Sequence, residues 1–307
     1  MIIDAHLDTA LLLRRQPSLR SLTDSHCDLL RLQQYLNVAF FAVFIHPEDH
    51  ADCQLREMVD MWVRLRRDLK ANTDLVEPLL YKEQLSERGA KLLLGAEGGG
   101  FLGNRESLLP LFFDRGLRFL GLTWNVDNQF ASACGNSGGL TKLGQQVMRL
   151  CNRLHVALDA AHMSEDGFWQ LLEESEQPIM VSHAACAALL PHKRNLNDRQ
   201  LRALGEAGGV IGVTFVPDFL RADGADLSDV VRHIAHAVEV AGIDAVGIGS
   251  DFDGADIAGL AGVQDLPLLW QALAEAGFSQ EEIDKISGEN FRAFLQQVLP
   301  TREMCRE

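Results

Sequence analysis

The chain has 307 residues, 47% of them hydrophobic, and a formal net charge of −15. This length suits one elaborated barrel better than a minimal domain, and no segment approaches the roughly 20 uninterrupted apolar residues of a membrane helix. Nucleic acid is a poor partner for so acidic a chain, because phosphates are bound by Lys and Arg. We therefore expect a protein with a sizeable core that binds neither nucleic acid nor a membrane.

Cysteine usage and the start of the chain bear on the compartment. The six cysteines are scattered and none forms a Cys-x-x-Cys pair, which indicates reduced thiols in a cytoplasmic protein and supports neither a disulfide framework nor a structural zinc site. The sequence opens on an apparent strand, MIIDAHLD, without a basic region followed by an apolar stretch. We expect no signal peptide, although a processed leader could have been removed.

Short apolar runs recur along the whole chain. A continuous apolar run is typical of a strand that is buried on both faces, as in a parallel sheet. The eight predicted strands cover residues 1–5, 39–45, 91–96, 117–123, 155–159, 178–182, 209–216 and 245–250.

Amphipathic segments lie between these runs and predict helices. Their ranges are 55–70, 141–154, 198–207, 227–241 and 279–299. Ser279 and either Asn197 or Asp198 are natural N-caps, and Gly242 suits a helix C-terminus. Alternating strands and helices predict a parallel sheet. With eight strands and no repeat or linker, we expect a (β/α)8 barrel, a TIM barrel, as a single domain over residues 1–307.

Metal-binding side chains stand at or just past the ends of five predicted strands. In a (β/α)8 barrel the carboxyl ends of the strands face the active site, so residues far apart in sequence would converge there. Imidazole and carboxylate groups are common zinc ligands. The set predicts a two-metal hydrolase site and consists of His6, Asp8, Glu97, His162, His183 and Asp251.

Each ligand candidate also has a simpler explanation. His6 and Asp8 are two residues apart, so an extended chain would point both to one side and let them hold one metal, but they could form a surface turn. Glu97 has two acceptor oxygens and could bridge two cations, or it could form a salt bridge in the barrel. His162 and His183 could be core histidines, although their places on consecutive strand ends favour metal binding.

Other polar residues near the predicted rim have open alternatives. Asp251 could bind a metal or accept the proton of the attacking nucleophile. Arg194 could anchor a substrate carboxylate or be an ordinary surface residue. Asp159 could orient a ligand imidazole or pair with a cation. Asp253 is better explained by turn chemistry with Gly254.

The remaining histidines have no comparable context, and we assign them no catalytic role. They are His26, His46, His50, His192, His233 and His236, together with His155 inside a predicted strand.

Ordered motifs carry a family resemblance from residue 2 to about residue 295. They are DAHLDT, LLGAEGG, LTWN, ALDAAHMS, VSHAA, RNLND, GVIGVTF and VGIGSDFDG, in that order. This set resembles the membrane (renal) dipeptidase family, which are zinc dipeptidases among the amidohydrolase-type barrels, and the chain looks like a soluble bacterial-type member. The resemblance implies two Zn²⁺ ions, although Co²⁺ and Mn²⁺ suit similar ligands.

The resemblance also implies roles for individual residues. His6 and Asp8 would bind one metal. His162 and His183 would bind the other, and Glu97 would bridge both.

Substrate handling is implied by the same motifs. Asp251 would lie next to the first metal and handle the proton, and Arg194 would bind the free carboxylate of a dipeptide. The positions of Asn125, Phe215 and Gly254 would lie near the substrate.

One motif departs from the family pattern. Family members usually have His in an LTHN motif, where it is thought to contact the substrate carbonyl and the developing oxyanion, whereas this chain has Trp124. An indole N–H can donate a hydrogen bond but cannot titrate. Loss of a dedicated oxyanion donor can cost on the order of 10²–10³ in rate, so this substitution bears on substrate scope and catalytic strength.

The expected function is zinc-dependent hydrolysis of dipeptides, with a metal-bridging hydroxide as nucleophile. The C-terminal residue could be D, as the family often tolerates. Two alternatives stay open: a binuclear-metal hydrolase of another amide, lactam or lactone, and a metal-binding barrel with little catalysis. The sequence does not fix the oligomeric state, for which a homodimer is one alternative.

Overall fold

A computed structural model describes residues 1–46 and 51–305 and shows a closed barrel of parallel strands. The nine strands of this described part are β1 (Ile3–Leu7), β2 (Val38–Phe44), β3 (Val76–Pro78), β4 (Ala90–Glu97), β5 (Leu117–Gly121), β6 (Ala157–Asp159), β7 (Met180–Ala184), β8 (Val210–Val213) and β9 (Val246–Ile248). All strand pairs are parallel, and β2 pairs directly with β4. The eight-stranded barrel predicted from the sequence is confirmed, and β3 is an addition that pairs with β4.

The barrel closes where β1 meets β9, and we call this line of contact the seam. Asp4 and Ile248 are paired in register across it, and Leu7 forms a further parallel bridge with Phe252 just past β9. Backbone bonds extend the contact beyond the strands, from Asp8 N to Phe252 O (2.9 Å) and from Asp251 N to His6 O (3.1 Å). The Asp4 carboxylate adds to it by accepting the N–H groups of His6 (3.2 Å) and Ser250 (2.9 Å). These bonds along the seam connect β1 and the residue after it to the loop that carries Asp251.

Helices pack around the barrel between successive strands. They are α1 (Leu29–Tyr35), α2 (Ala51–Ala71), α3 (Leu109–Asp114), α4 (Lys142–Leu154), α5 (Glu165–Glu174), α6 (Asp198–Glu206), α7 (Pro217–Leu220), α8 (Leu227–Ala241), α9 (Leu266–Glu275), α10 (Gln280–Asp284) and α11 (Asn290–Val298). Across the described ranges, none combines the length and apolarity needed to cross a bilayer.

Helix caps follow the chemistry of the sequence. Asn197 caps α6 and forms a capping box with Gln200, so Asn197 and not Asp198 is the cap. Ser279 caps α10 in the same way with Glu282. In both helices the side chain accepts an N–H group that would otherwise lack a partner in the first turn.

The predicted C-terminal helix over 279–299 is not continuous. A wide turn over Lys285–Glu289 separates α10 from α11. A Cβ at Gly288 would stand only 2.5 Å from Met1 O and 3.0 Å from Ile3 N. The chain bends here because the start of β1 packs directly against it, a tertiary contact that helical periodicity does not reveal.

The amino ends of the barrel strands are filled by apolar side chains. The ring of Phe40 lies 5.6 Å, centroid to centroid, from the rings of both Phe119 and Phe291, and so joins α11 to the barrel. Gly95 makes room for this packing, because a Cβ there would lie 2.2 Å from the Phe119 ring. Two residues further along β4, and hence on the same side of the strand, stands Glu97. The polar site lies above this apolar filling.

Candidate metal centre

The structure brings the six predicted metal-binding residues together at the carboxyl ends of the strands. His6 lies inside β1 and Asp8 directly follows it, because β1 runs two residues further than predicted. Glu97 is the last residue of β4, and His183 lies within β7. The other two, His162 and Asp251, stand in the turns after β6 and β9.

Glu97 lies between two groups of ligand atoms. On one side its Oε1 is 2.7 Å from His162 Nε2 and 3.5 Å from His183 Nε2, and these two nitrogens are 3.0 Å apart. On the other side the same oxygen is 3.8 Å from His6 Nε2. His6 Nε2 is in turn 3.9 Å from a carboxylate oxygen of Asp8 and of Asp251. Groups of three ligand atoms therefore converge on both sides of one carboxylate.

Burial controls the protonation of these groups. It raises the pKa of both Asp8 and Glu97 well above the usual range, and repulsion from Asp251 adds to this in each case. The pKa of Asp251 is raised to about 6, again by burial. Burial lowers the pKa of His6 to about 3. The imidazole is thus neutral, as a ligand must be. For the carboxylates, burial outweighs the opposing charge of Arg194 at Glu97 and Asp251 and of Arg14 at Asp8.

Orphaned polar atoms point into the same space. His6 Nε2 and Asp8 Oδ1 are buried and have no hydrogen-bond partner, an arrangement that is costly unless another group satisfies it. Gly254 keeps the space open, because a Cβ there would stand 2.4 Å from both Asp8 Oδ2 and Asp251 Oδ1. Divalent cations would fit this donor set, since they satisfy the lone pairs and offset the negative charge.

Two of the candidate ligands have left-handed backbone conformations. His162 has φ of 65° and Asp251 has φ of 67°, a region that costs non-glycine residues on the order of 1–3 kcal/mol. Neighbouring groups hold the His162 turn in place. Its carbonyl accepts hydrogen bonds from Cys134 N (2.7 Å) and Thr123 Oγ1 (3.2 Å).

Polar groups behind the imidazoles fix their orientation. His162 Nδ1 donates to Asn125 Oδ1 at 2.8 Å, so the structure places this predicted substrate residue against a candidate ligand. Asp159 touches no imidazole directly and instead accepts the hydroxyl of Ser182 at 2.5 Å. Ser182 Oγ lies 2.9 Å from His183 Nδ1. Ser182 was not among the residues predicted from the sequence, and its only signal there is its place just before His183.

Arg194 is buried beside the ligand atoms and is not a surface residue. Only 5% of it is exposed, and its Nη2 donates to His183 O at 3.1 Å. Its Nε is buried and has no hydrogen-bond partner. Arg194 and His162 line one cavity of about 350 Å³. A guanidinium with a free donor at such a cavity is suited to an anionic group.

Trp124 lines a second cavity, of about 190 Å³, together with Glu97. The indole packs on Phe44 with ring centroids 4.5 Å apart. Its centroid lies 6.0 Å from the ring of His46 and 6.2 Å from that of His162. Trp124 therefore joins an aromatic cluster at the edge of the centre.

Two residues of the same region lie away from the open space. Phe215, predicted to lie near the substrate, is fully buried and packs on Phe252 with ring centroids 5.8 Å apart. The carboxylate of Asp253 accepts Thr9 Oγ1 (2.5 Å) and His26 N (2.6 Å), so it links this turn to the loop after β1.

Two further histidines without a predicted role, His26 and His233, pack within the fold. His26 Nδ1 accepts Asp253 N at 2.9 Å. His233 Nε2 contacts Leu220 O at 3.0 Å. His50 lies outside the described residues.

Comparison with known proteins gives matches along nearly the whole chain. A family model described as membrane dipeptidase, peptidase family M19, matches residues 1–306. Dipeptidase tcpJ of Claviceps purpurea (strain 20.1) is 30% identical over 294 residues, covering 89% of this chain and 69% of that protein.

Two solved structures have the same architecture. The metallopeptidase described as dipeptidase AC has a TM-score of 0.91 and 29% identity, covering 97% of this chain and 98% of that one. A metallopeptidase from Rhodobacter sphaeroides, liganded with a phosphinate mimic of the dipeptide L-Ala-D-Ala, has a TM-score of 0.88 and 27% identity, covering 97% and 99%.

Proposed function

Because the chain belongs to the membrane dipeptidase family, peptidase family M19, and is thereby a metallo-dipeptidase-type hydrolase, we propose that it cleaves dipeptides with two divalent cations, preferably Zn²⁺. The observation that carries this proposal is the position of Glu97 between two groups of converging ligand atoms. His6 and Asp8 would hold one cation. His162 and His183 would hold the other, with Glu97 shared between them.

The bound cations would supply Lewis acidity, which polarises a carbonyl and can lower the pKa of water to about 7. The protein would supply the proton transfer. The Asp251 carboxylate faces the same space as His6 Nε2, and burial raises its pKa to about 6, close to the working range of a general base and acid. Asp251 would accept the proton of the attacking water and deliver it to the leaving amine.

Arg194 would select substrates by length. Its unpaired Nε and its charge suit the free carboxylate of the C-terminal residue, and binding that carboxylate would require the peptide to end at this residue. We therefore propose dipeptides and not longer peptides as substrates. The ligand of the Rhodobacter sphaeroides relative mimics L-Ala-D-Ala, which supports the further proposal that a C-terminal D residue is accepted.

We also keep three broader proposals. Residues 1–307 form a single domain, the protein acts in the cytoplasm, and it assembles as a homodimer. The six free cysteines support a reducing compartment. Size-exclusion chromatography with light scattering tests the dimer.

The decisive experiment for the function is hydrolysis of L-Xaa-L-Xaa and L-Xaa-D-Xaa dipeptides by zinc-loaded protein, with metal content measured on the same sample. We expect turnover of dipeptides, none of tripeptides, and loss of activity after chelation that zinc restores. Dipeptide turnover that survives complete metal removal would contradict the metal role. Two bound metals without dipeptide turnover would favour another amide, a lactam or a lactone as the substrate.

Trp124→His should raise the turnover of dipeptides. Histidine would restore the residue usual in the family, and an oxyanion donor is worth up to about 10²–10³ in rate. We also expect a lower Tm, because the smaller ring leaves space beside Phe44. Steady-state kinetics with Trp124→Phe as the aromatic control checks this. If Trp124→His turns dipeptides over no faster than the parent and Trp124→Phe do, the side chain at position 124 makes no contact with the transition state.

A further inference from the structure

The Ser182 hydroxyl lies among three ionisable side chains. Its Oγ is 2.5 Å from Asp159 Oδ2, 2.9 Å from His183 Nδ1 and 3.4 Å from His6 Nδ1. Ser182 is fully buried, as is His6, and His183 is 1% exposed. Water therefore does not compete for these contacts. The two imidazoles belong to different sides of the candidate centre, so one hydroxyl stands behind both.

The direction of these hydrogen bonds follows from the donors available. A hydroxyl has one proton and two acceptor lone pairs. Asp159 Oδ1 already accepts the N–H groups of Ala161 (3.0 Å) and Ser182 (2.9 Å), so the carboxylate is anchored with Oδ2 facing Ser182 Oγ. Burial raises the pKa of Asp159, whereas the hydrogen bonds from Ser182 and Ala161 favour its ionised form. In that form the carboxylate only accepts hydrogen bonds. The hydroxyl proton therefore goes to Asp159, and both lone pairs face the imidazoles.

We propose that Ser182, held by Asp159, is a positioning residue that fixes the tautomers of His183 and His6 together. With its proton given to Asp159, Oγ can only accept from the two Nδ1–H groups. Each Nε2 then carries a lone pair directed at the space beside Glu97. This inference rests on the proposed metal centre. In it, Ser182 would align one imidazole ligand of each cation, namely His183 of one and His6 of the other.

The two distances predict unequal effects. The contact to His183 Nδ1 has good hydrogen-bond length, whereas the one to His6 Nδ1 is long. Loss of the hydroxyl should therefore weaken the His162–His183 side more than the His6–Asp8 side. Partners of this kind typically contribute 10–100-fold to metal affinity.

Two variants separate tautomer control from simple packing. Ser182→Ala removes the hydroxyl and leaves both imidazoles free to adopt either tautomer. Asp159→Asn keeps the shape but reverses the hydrogen bonds. Its Oδ1 must still face the backbone N–H groups of Ala161 and Ser182, so its Nδ2 would donate to Ser182 Oγ, whose proton would turn toward an imidazole. The isosteric variant should consequently be the more damaging one.

Ser250→Ala is the matched control. Ser250 precedes Asp251 as Ser182 precedes His183, and both serines are fully buried. The Ser250 hydroxyl donates to His6 O (3.3 Å) and accepts Phe252 N (3.1 Å), so it contacts no imidazole ring. Ser250→Ala therefore removes a buried hydroxyl but leaves the tautomers of His6 and His183 unchanged.

Zinc affinity measured by chelator competition is the main readout. Relative to the parent, we expect roughly 10–100-fold weaker binding at one site in Ser182→Ala, a larger loss in Asp159→Asn, and little change in Ser250→Ala. Parent-like affinity in Ser182→Ala, or a loss as large in Ser250→Ala, would overturn the proposal. So would Asp159→Asn binding more tightly than Ser182→Ala.

Histidine ¹⁵N shifts of the metal-free protein give a second readout that requires neither metal nor activity. We expect His183 and His6 to carry the ring proton on Nδ1 in the parent and His183 to carry it on Nε2 in Asp159→Asn. An Nε2 proton on His183 in the parent would overturn the inference even if zinc binds normally. Failure of the parent to bind zinc while both rings carry Nδ1–H would instead count against the proposed function.

Discussion

Replacing Asp251 by Asn should lower kcat for dipeptides by roughly 10²–10⁴-fold, the usual contribution of a positioned general acid or base. The carboxylate is 3.9 Å from His6 Nε2 and borders the space that Gly254 keeps open. Among the carboxylates of the centre, Glu97 and Asp8 are the proposed metal ligands, which leaves Asp251 available to transfer a proton. An amide at this position retains the shape but cannot carry the proton.

The substitution should leave the backbone undisturbed. Asp251 has φ of 67°, and Asn tolerates this left-handed region better than most residues. The hydrogen bond from its backbone N–H to His6 O does not depend on the side chain. A loss of activity would therefore report on chemistry and not on misfolding.

Metal content measured with kcat separates the two roles that the sequence left open for Asp251. Normal metal content with lost turnover supports proton transfer. Loss of one metal equivalent would make Asp251 a ligand. An active Asp251→Asn enzyme would remove it from the mechanism, and circular dichroism with a Tm measurement controls for folding.

Arg194→Met should lower kcat/KM for dipeptides by roughly 30- to 5000-fold, corresponding to the cost of about 2–5 kcal/mol for removing one partner of a buried charged hydrogen-bonded pair. Methionine keeps a long unbranched side chain in the space beside Phe219, over whose ring the guanidinium lies at 5.6 Å. The variant removes the charge and the free Nε donor. Its loss should appear chiefly in KM, because the substrate carboxylate does not change during the reaction.

Dipeptide amides provide the control for this prediction. They lack the carboxylate, so the parent should hydrolyse them poorly and the Arg194→Met variant should lose little more. An equal loss on free dipeptides and on their amides would mean that Arg194 supports the centre through its contact with His183 O and does not bind the substrate carboxylate.

Much of the fold could be predicted from the sequence, because buried parallel strands appear in it as continuous apolar runs. The eight predicted barrel strands all overlap observed ones. The errors have physical causes. Asp4 and His6 interrupt the first run, so β1 was predicted to end two residues early, although the structure buries both side chains completely. The short β3 carries too few residues to show a period.

The candidate site was predictable to the extent that strand ends converge. Six ligand candidates from five strand ends meet, as barrel geometry requires. Burial was not predictable in the same way. The sequence could not decide whether Arg194 is exposed, and the motif that places Phe215 near the substrate did not show that its ring is fully buried.

Contacts made through a third residue were the least accessible part. Asp159 was considered as a partner of a ligand imidazole, but its action through Ser182 depends on side chains from two neighbouring strands. Asn125 was assigned to the substrate from its motif, and the structure shows its amide oxygen against His162. A linear pattern places residues on a rim but does not show which atoms face each other.

The seam between β1 and β9 links the proposed chemistry to the kinetics of folding. Between the strands it has one residue pair in register, as the line between β6 and β7 also has, and it joins the two ends of the chain's strand order. A cation held by His6 and Asp8 would also face Asp251. It would therefore link β1 to the loop after β9 and hold the seam closed. The loop it closes spans most of the chain, and closing so long a loop is entropically costly. The apoprotein should then open first along this line, and metal loading would set how long the barrel stays closed.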